Sequence, residues 1–349
     1  MARVTINQVA ERAGVSIASA SRALNGLIAS AETAAKVTQA ARELGYIADA
    51  TAQSLKRGHT MQLGYAVADI GNPVYVEMMT AIERVVSASG YRLILSSTGT
   101  SSSSVDVVRE LSRGYVDGMI LSPLRVTDEL LAALAAAPIP FVVLGRVPDS
   151  AGFDAVRADS HTAMRLVVDH LVGEGRRDIA FVNGPANTTP GALRREGFLE
   201  AVAAYPDVQT RCADADDFTI TAGYDTAMTL LDRGDRPDAV VAANDLIGLG
   251  VLRAAEDLGL SVPDDLAVTG VDNTELARVV RPGLTSVDLG AEERGTAAAE
   301  MLLARIAEPA RPGHVVIVAP SLVVRGSSAA SKPAAVHRTD PIDEERAAG

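Results

Sequence analysis

The sequence predicts a small all-α head followed by an α/β body of two lobes built on parallel sheets. Three observations carry that prediction. Residues 5–46 hold three short amphipathic stretches, each opened by a hydroxyl residue and closed by glycine or Asn-Gly. From residue 62 the rhythm changes to short aliphatic runs alternating with amphipathic helical stretches, the pattern of buried parallel strands and their crossover helices. That pattern runs for about 250 residues, more than one compact core sustains, so two lobes are expected.

The elements follow in order. Thr5 caps the first helix, with Gln8 placed three residues later as in a capping box; Ile6, Val9, Ala10 and Ala13 form its inner face, and Gly14 stops it. Ser16 caps a second helix with Ala20, Ala23 and Leu24 inward, ended by Asn25-Gly26. Ser30 caps a third, with Val37, Ala41 and Leu44 inward and Gly45 closing it. Residues 47–60 are polar with isolated Ala and Leu, a linker that buries too little to fold alone. Strands are predicted over 63–68, 91–97, 117–122, 140–145, 177–184, 238–243 and 266–272. Helices are predicted over 74–89, 101–113, 127–136, 160–173, 191–204, 221–232, 245–258 and 291–306. The body therefore spans 61–326, and residues 327–349 read as a low-complexity, disordered tail.

Composition bounds the function. The 349 residues are 48% hydrophobic but 3% aromatic with no Trp, so the core is aliphatic. A lone cysteine, Cys212, excludes an intramolecular disulfide and any cysteine-rich metal site. No signal-peptide core and no membrane-length apolar run is present, which predicts a cytoplasmic protein without membrane contact. No P-loop, HExxH or nucleophile elbow occurs, and the five histidines lack metal-ligand spacing. Neither an enzyme nor a cofactor is implied. The net charge of −12 disfavours a polyanionic partner, yet residues 1–60 carry seven Lys and Arg against four Asp and Glu. A head of +3 on a body of −15 is the asymmetry expected where only the head meets nucleic acid.

The first two helices and the glycine turn between them form a helix-turn-helix, whose second helix enters the DNA major groove N-terminus first. Ile17, Ala18, Ser21 and Arg22 lie on the outward side of that helix. Arg22 can read guanine through a bidentate pair, and Ile17 and Ala18 can contact thymine methyls. Thr5, Ser16, Ser21 and Asn25 are placed for phosphates. In the body, ligands of open α/β sheets bind beyond the carboxyl ends of strands. Asp69, Arg146, Asn244 and Asp272 follow predicted strands. Two alternatives stay open: Asn244-Asp245 and Asp159-Ser160 can simply cap helices, and Asp272 can brace a turn. Arg176-Arg177 reads as a solvated face.

Residues 4–26, VTINQVAERAGVSIASASRALNG, resemble the head of the lactose-repressor (LacI/GalR) family. The likeness continues through ARELGY (41–46) to about residue 326. It implies a periplasmic-binding-protein-like sensor body and a hinge in which Ala52 and Leu55 occupy the Ala-x-x-Leu positions, Leu55 wedging into the minor groove beside Lys56. Asp69-x-x-Asn72-Pro73, with Tyr75 after Val74, resembles a segment that lines the family's cleft; Arg194 in Arg-x-x-Gly-Phe, Asn244 and Asp272 match effector-contacting positions, and Phe218 sits near where an aromatic stacks on the ligand. The chain departs from the pattern at Ala48-Asp49 and Gln53 in the hinge, at Ser19-Ala20 in the second helix, at Val74, and in a shorter loop after Gly26. The resemblance implies a ligand-responsive transcription regulator, a repressor, acting as a homodimer on double-stranded operator DNA. A carbohydrate is its first-choice effector and a nucleoside or purine the second. A plain solute-binding protein of the same fold is the rival; it calls for an export signal and no basic head.

Overall fold

Thr5, Ser16 and Ser30, the hydroxyl residues read as caps in the head, each cap a helix in the computed structural model, which describes residues 4–25, 28–47, 58–98, 103–232 and 234–329. The chain divides into two units, one of residues 1–61 with 114–117, the other of residues 62–113 with 118–349. In the first, α1 (Ile6–Ala13), α2 (Ile17–Leu24) and α3 (Ala31–Leu44) begin at Thr5, Ser16 and Ser30, whose side chains accept from Gln8, Ser19 and Thr33 backbone N–H groups. The capping box is complete: Thr5 N donates to Gln8 Oε1 at 2.9 Å. Gly14 sits at φ 67°, a left-handed conformation that only glycine adopts without strain, and the next residue, Val15, donates back to Ala10 O at 3.0 Å. This closure turns the chain sharply from α1 into α2. Val9, Ala10, Ala20, Val37 and Ala40 form the buried core. The predicted inward residues Ala41 and Leu44 are partly buried at its edge, and Ala40 takes the central place. Small residues at positions 10, 20 and 40 let the three helices approach closely.

The second unit contains two six-stranded sheets. The chain enters the first through β1 (Gln62–Val67), α4 (Pro73–Ala88), β2 (Arg92–Ser97), α5 (Ser104–Leu111), β3 (Gly118–Ser122), α6 (Asp128–Ala135), β4 (Phe141–Leu144) and β5 (Ala155–Ala158). It builds the second with α7 (Ser160–Gly173), β6 (Asp178–Asn183), α8 (Thr189–Val202), β7 (Gln209–Asp214), α9 (Ile220–Leu231), β8 (Ala239–Ala242), α10 (Asp245–Asp257), β9 (Ala267–Val271), α11 (Glu275–Val279) and β10 (Thr285–Asp288). It then returns through α12 (Ala291–Ala307) and β11 (Val315–Val318) and ends at β12 (Ser321–Val323). The sheet orders are β11-β5-β4-β3-β1-β2, parallel throughout, and β12-β10-β9-β8-β6-β7, parallel except where β12 runs against β10. The chain thus changes lobe three times, after β5, after β10 and after β11.

The predicted strands and helices all form, with ends shifted by at most three residues. The strands β5, β7, β10, β11 and β12 and the helix α11 add to them. β7 (QTRCAD) and β10 (TSVD) are too polar to stand out as aliphatic runs, and β12 has only three residues. Two readings are corrected. Ser327 and Ser328, assigned to the disordered tail, are fully buried. Ser327 Oγ donates to Val268 O at 2.5 Å, and Ser328 Oγ lies 2.6 Å from Thr285 Oγ1 and 2.7 Å from His170 Nε2. Arg176, read as a solvated residue, is partly buried and donates to the carbonyls of Pro263 and Asp238 at 2.5 and 3.2 Å. Its guanidinium fork satisfies loop carbonyls that would otherwise face apolar surroundings. No helix among the described residues is long and apolar enough to cross a membrane.

Each lobe has its own aliphatic core, as the shortage of aromatics requires. Phe181 and Phe198 stack at 4.9 Å between centroids inside the second. α9 and α10 cross at glycine: a Cβ on Gly250 would lie 2.3 Å from Ile220 O, so only hydrogen fits there. That close crossing holds the N-terminus of α10, and Asn244 before it, in place.

Candidate functional site

The second helix of the head presents a distinct outer surface. Ser16, Ile17, Ala18 and Arg22 are exposed, while Ala20 on the opposite side is fully buried. Ile17 is 51% exposed, high for an isoleucine on a helix this short. Arg22 makes one long contact, Nη2 to Ser19 Oγ at 3.5 Å, and so is free to turn toward a partner. The hydroxyls and the amide do local work. Ser16 Oγ accepts from Ser19 N at 3.1 Å, Thr5 closes α1, and Asn25 Nδ2 donates to Ser21 O at 2.6 Å. Ala52, Leu55 and Lys56 lie outside the described residues.

In the body, a cavity of about 350 Å³ lies at the carboxyl ends of both sheets. All eight residues singled out there line it: Asp69, Asn72, Tyr75, Arg146, Arg194, Phe218, Asn244 and Asp272. Parallel strands point their carboxyl ends the same way within each lobe, and the residues that follow those strands collect in one place. Several of the eight also serve the fold. Asp69 Oδ1 accepts from Gly71 N at 2.7 Å, which fixes the turn into α4. Asn72 caps α4 through Val74 N at 3.2 Å. Asn244 caps α10 through Ile247 N at 2.9 Å and donates to Phe218 O at 3.2 Å. The capping alternative and the cavity position are therefore both true of Asn244. Asp159 likewise caps α7 through Thr162 N at 3.0 Å while lining the cavity. The ring of Phe218 lies against Gly184, where a Cβ would come within 2.2 Å of it.

The cavity floor is a charged pair. Arg194 on α8 donates to Ala243 O at 2.6 Å and to Asp272 Oδ1 at 3.4 Å, with both side chains about nine-tenths or more withdrawn from solvent. Burial pushes the Asp272 carboxyl upward, and the Arg194 and Arg294 guanidiniums oppose that shift. Burial also pushes the Tyr75 phenol up to about 12, so it stays a neutral donor. Asp272 and Asn273 sit at φ 104° and 51°, a conformation that Asp and Asn tolerate better than most residues but still at a cost. Neighbours hold them there. Asp272 N donates to Val287 O at 2.8 Å, Asn273 N to Ser286 Oγ at 2.9 Å, and Arg325 Nη2 to Asn273 Oδ1 at 2.5 Å.

Asp245 anchors this turn from behind. It accepts from Thr274 N at 2.7 Å, Thr274 Oγ1 at 2.9 Å and Ser286 Oγ at 2.5 Å. Burial, reinforced by the nearby Asp272 charge, raises its pKa from 3.8 to about 7. The folded state therefore holds this proton more tightly than the unfolded chain. The group's contribution to stability falls as pH rises from about 4 to about 7 and is level above that. Urea midpoints of wild type and Asp245→Asn, compared from about pH 5 to about pH 8, should diverge across this window. A pH-independent difference would refute the assignment.

Four further titratable residues of the cavity escaped sequence reasoning: Arg157, His161, Asp217 and Arg294. Arg157 lies on β5, a strand the hydropathy pattern missed. Arg294 lies in the first turn of α12, where AEERGT reads as an ordinary polar helix start. His161 sits 2.7 Å from Glu200 through Nδ1, a pairing that no local sequence signal announces.

Comparison with known proteins agrees with this architecture. Residues 5–49 match the bacterial regulatory proteins of the lacI family, and residues 168–328 match a periplasmic binding protein-like domain. The chain is 32% identical to the HTH-type transcriptional repressor PurR of Edwardsiella ictaluri, over 93% of this chain and 97% of that one. It is 31% identical to the ribose operon repressor of Escherichia coli K12, over 93% and 99%. Among solved structures it resembles the lac repressor dimer bound to operator and an anti-inducer, with a TM-score of 0.84, 29% identity and coverage of 94% and 100%. It also resembles a LacI family regulator from Enterococcus faecium with bound ribose, with a TM-score of 0.69, 30% identity and coverage of 78% and 100%. These relatives are regulators and not enzymes. The helix-turn-helix head, the two-lobed parallel body and the full-length relatives together make this chain a member of the LacI family of bacterial transcriptional regulators.

Proposed function

We propose that the protein is a cytoplasmic repressor that binds a pseudo-palindromic operator as a homodimer and responds to a small molecule held between its lobes. The exposed side of α2 is the observation that carries the DNA-binding half: Ile17, Ala18 and Arg22 face outward from a helix whose other side is core. In this reading Arg22 reads guanine, and Ile17 and Ala18 contact methyl groups. Ser16, Ser21, Asn25 and the N-terminus of α1 at Thr5 face phosphates. Ala52, Leu55 and Lys56 serve the hinge.

The effector occupies the cavity, with Asp69, Asn72, Asn244 and Asp272 accepting from or donating to hydroxyls and Arg146 and Arg194 supplying donors. A carbohydrate suits that set, as in the ribose-bound relative. A purine is the second reading: Tyr75 and Phe218 offer ring faces in the same cavity, and PurR proteins are among the relatives. Ligand and operator then change each other's affinity by the same factor, because both bias one equilibrium between lobe arrangements.

The test is a salt-titrated binding assay on fragments of the source genome, with and without sugars and purines. A subset of fragments should bind specifically, with log affinity falling linearly in log salt. If no fragment binds above the nonspecific level under any ligand condition, the proposal fails.

A further inference from the structure

Arg294 is the charge in the cleft that the protein leaves unanswered. Its Nε reaches Gly290 O at 3.4 Å, and among the described residues neither Nη atom forms a hydrogen bond or an ion pair. Burial, the Arg194 charge and its place on the helix all disfavour a cation here, and Asp272 nearby is the main offset. Arg294 lies in the first turn of α12, where the helix dipole favours anions, and it is partly buried. The side chain lines the cavity and faces Asp272, Arg194, Tyr65 and Tyr75. Asp272 is already engaged by Arg194 at 3.4 Å, so two guanidiniums share one carboxylate. The hydroxyl of Tyr65, on the same side, is buried without a hydrogen-bond partner of good geometry.

The lining as a whole balances four arginines, Arg146, Arg157, Arg194 and Arg294, against four aspartates, Asp69, Asp159, Asp217 and Asp272, but none of these carboxylates forms an ion pair with Arg294 among the described residues. Asp69, Asp159 and Asp217 accept from the backbone N–H groups of Gly71, Thr162 and Phe218, which fixes them to their own loops. Where Arg194 and Arg294 meet Asp272, two guanidiniums face one carboxylate and the Arg294 Nη donors are to spare, while the lining also carries polar groups that suit hydroxyls. An unpartnered, partly buried guanidinium is costly unless something completes its hydrogen bonds, and its planar fork matches a carboxylate or phosphate.

We propose that the cleft ligand is an anionic polyol, a small carbohydrate carrying a carboxylate or phosphate, whose oxyanion pairs with Arg294. This rests on the reading of the cavity as the effector site. It is tested by titration calorimetry on the full chain with ribose and glucose as neutral probes. Gluconate, ribose 5-phosphate and glucose 6-phosphate serve as anionic probes.

At least one anionic probe should bind about tenfold or more tightly than its neutral parent, and the active probe tells carboxylate from phosphate. Arg294→Leu should erase that advantage, bringing the anionic probe to within about twofold of its neutral parent measured in the same variant, with an unfolding midpoint no lower than wild type, since a partly buried charge has been removed. Should Arg294→Leu fail to fold, Arg294→Lys decides: it keeps the charge and loses the fork, so it should retain part of the advantage. Neutral probes binding as tightly as anionic ones, or anionic affinity indifferent to residue 294, would overturn the anion subsite alone. No binding by any probe would overturn the effector reading together with it.

Discussion

Asp272→Asn is expected to destabilise the body by about 3–5 kcal/mol, the cost of leaving a buried cation without its counter-charge. Asn keeps the size of the side chain and tolerates the positive φ of 104° at this position, so the substitution isolates the charge. Arg194 would retain its bond to Ala243 O but lose the carboxylate at 3.4 Å, and Arg294 would lose the one carboxylate it faces across the floor. The measurement is urea unfolding followed by far-ultraviolet circular dichroism. The double variant Asp272→Asn with Arg294→Leu should recover part of the loss, because one of the two uncompensated cations is gone. Neighbouring charges couple in this way, and the recovery measures the coupling. A loss below about 1 kcal/mol would mean that Asp272 holds a proton in the ligand-free protein.

Arg22→Ala is expected to abolish the preference for one base pair in each operator half-site, about 1–3 kcal/mol per half-site. The dimer proposed above would place two copies on the operator, so the loss in specific affinity would double in free energy. An operator selected from a random-sequence library, then varied one position at a time, supplies the substrates for fluorescence anisotropy. Nonspecific affinity should change far less. If instead all sequences lose affinity equally and the salt slope falls by about one, Arg22 contacts phosphate and reads no base. Among the described residues Arg22 makes one long contact, at 3.5 Å, and stands on the same exposed side as Ile17 and Ala18, which leaves its guanidinium available for either role.

Much of the head was legible from local rules. Thr5, Gln8, Gly14, Ser16 and Ser30 act through atoms three or four residues away, and so their roles follow from spacing. The strand-end residues were legible for a different reason. Parallel βαβ units place the residue after each strand on one edge, so Asp69, Arg146, Asn244 and Asp272 could be picked out before any contact was known. The resemblance added Asn72, Tyr75, Arg194 and Phe218, which lie on helices and loops that the strand rule does not reach.

The sequence by itself determined the order of domains, the helix boundaries of the head, the parallel class of the sheets and the eight residues that gather at one cavity. The first three follow from short-range periodicity, capping and strand direction, as do four of the eight cavity residues; the family resemblance supplied the other four. Only the tertiary structure decided which charges meet. Arg194 finds Asp272 across 78 positions, Asp245 supports Thr274 across 29, and Ser327 and Ser328 join the core from a segment that composition assigns to a tail. Arg294 is the sharpest instance. In sequence it is one more polar residue at a helix start; in space it is a cation left over after the pairs are made. Ion pairing depends on distance in space and on burial, and neither is encoded in local composition.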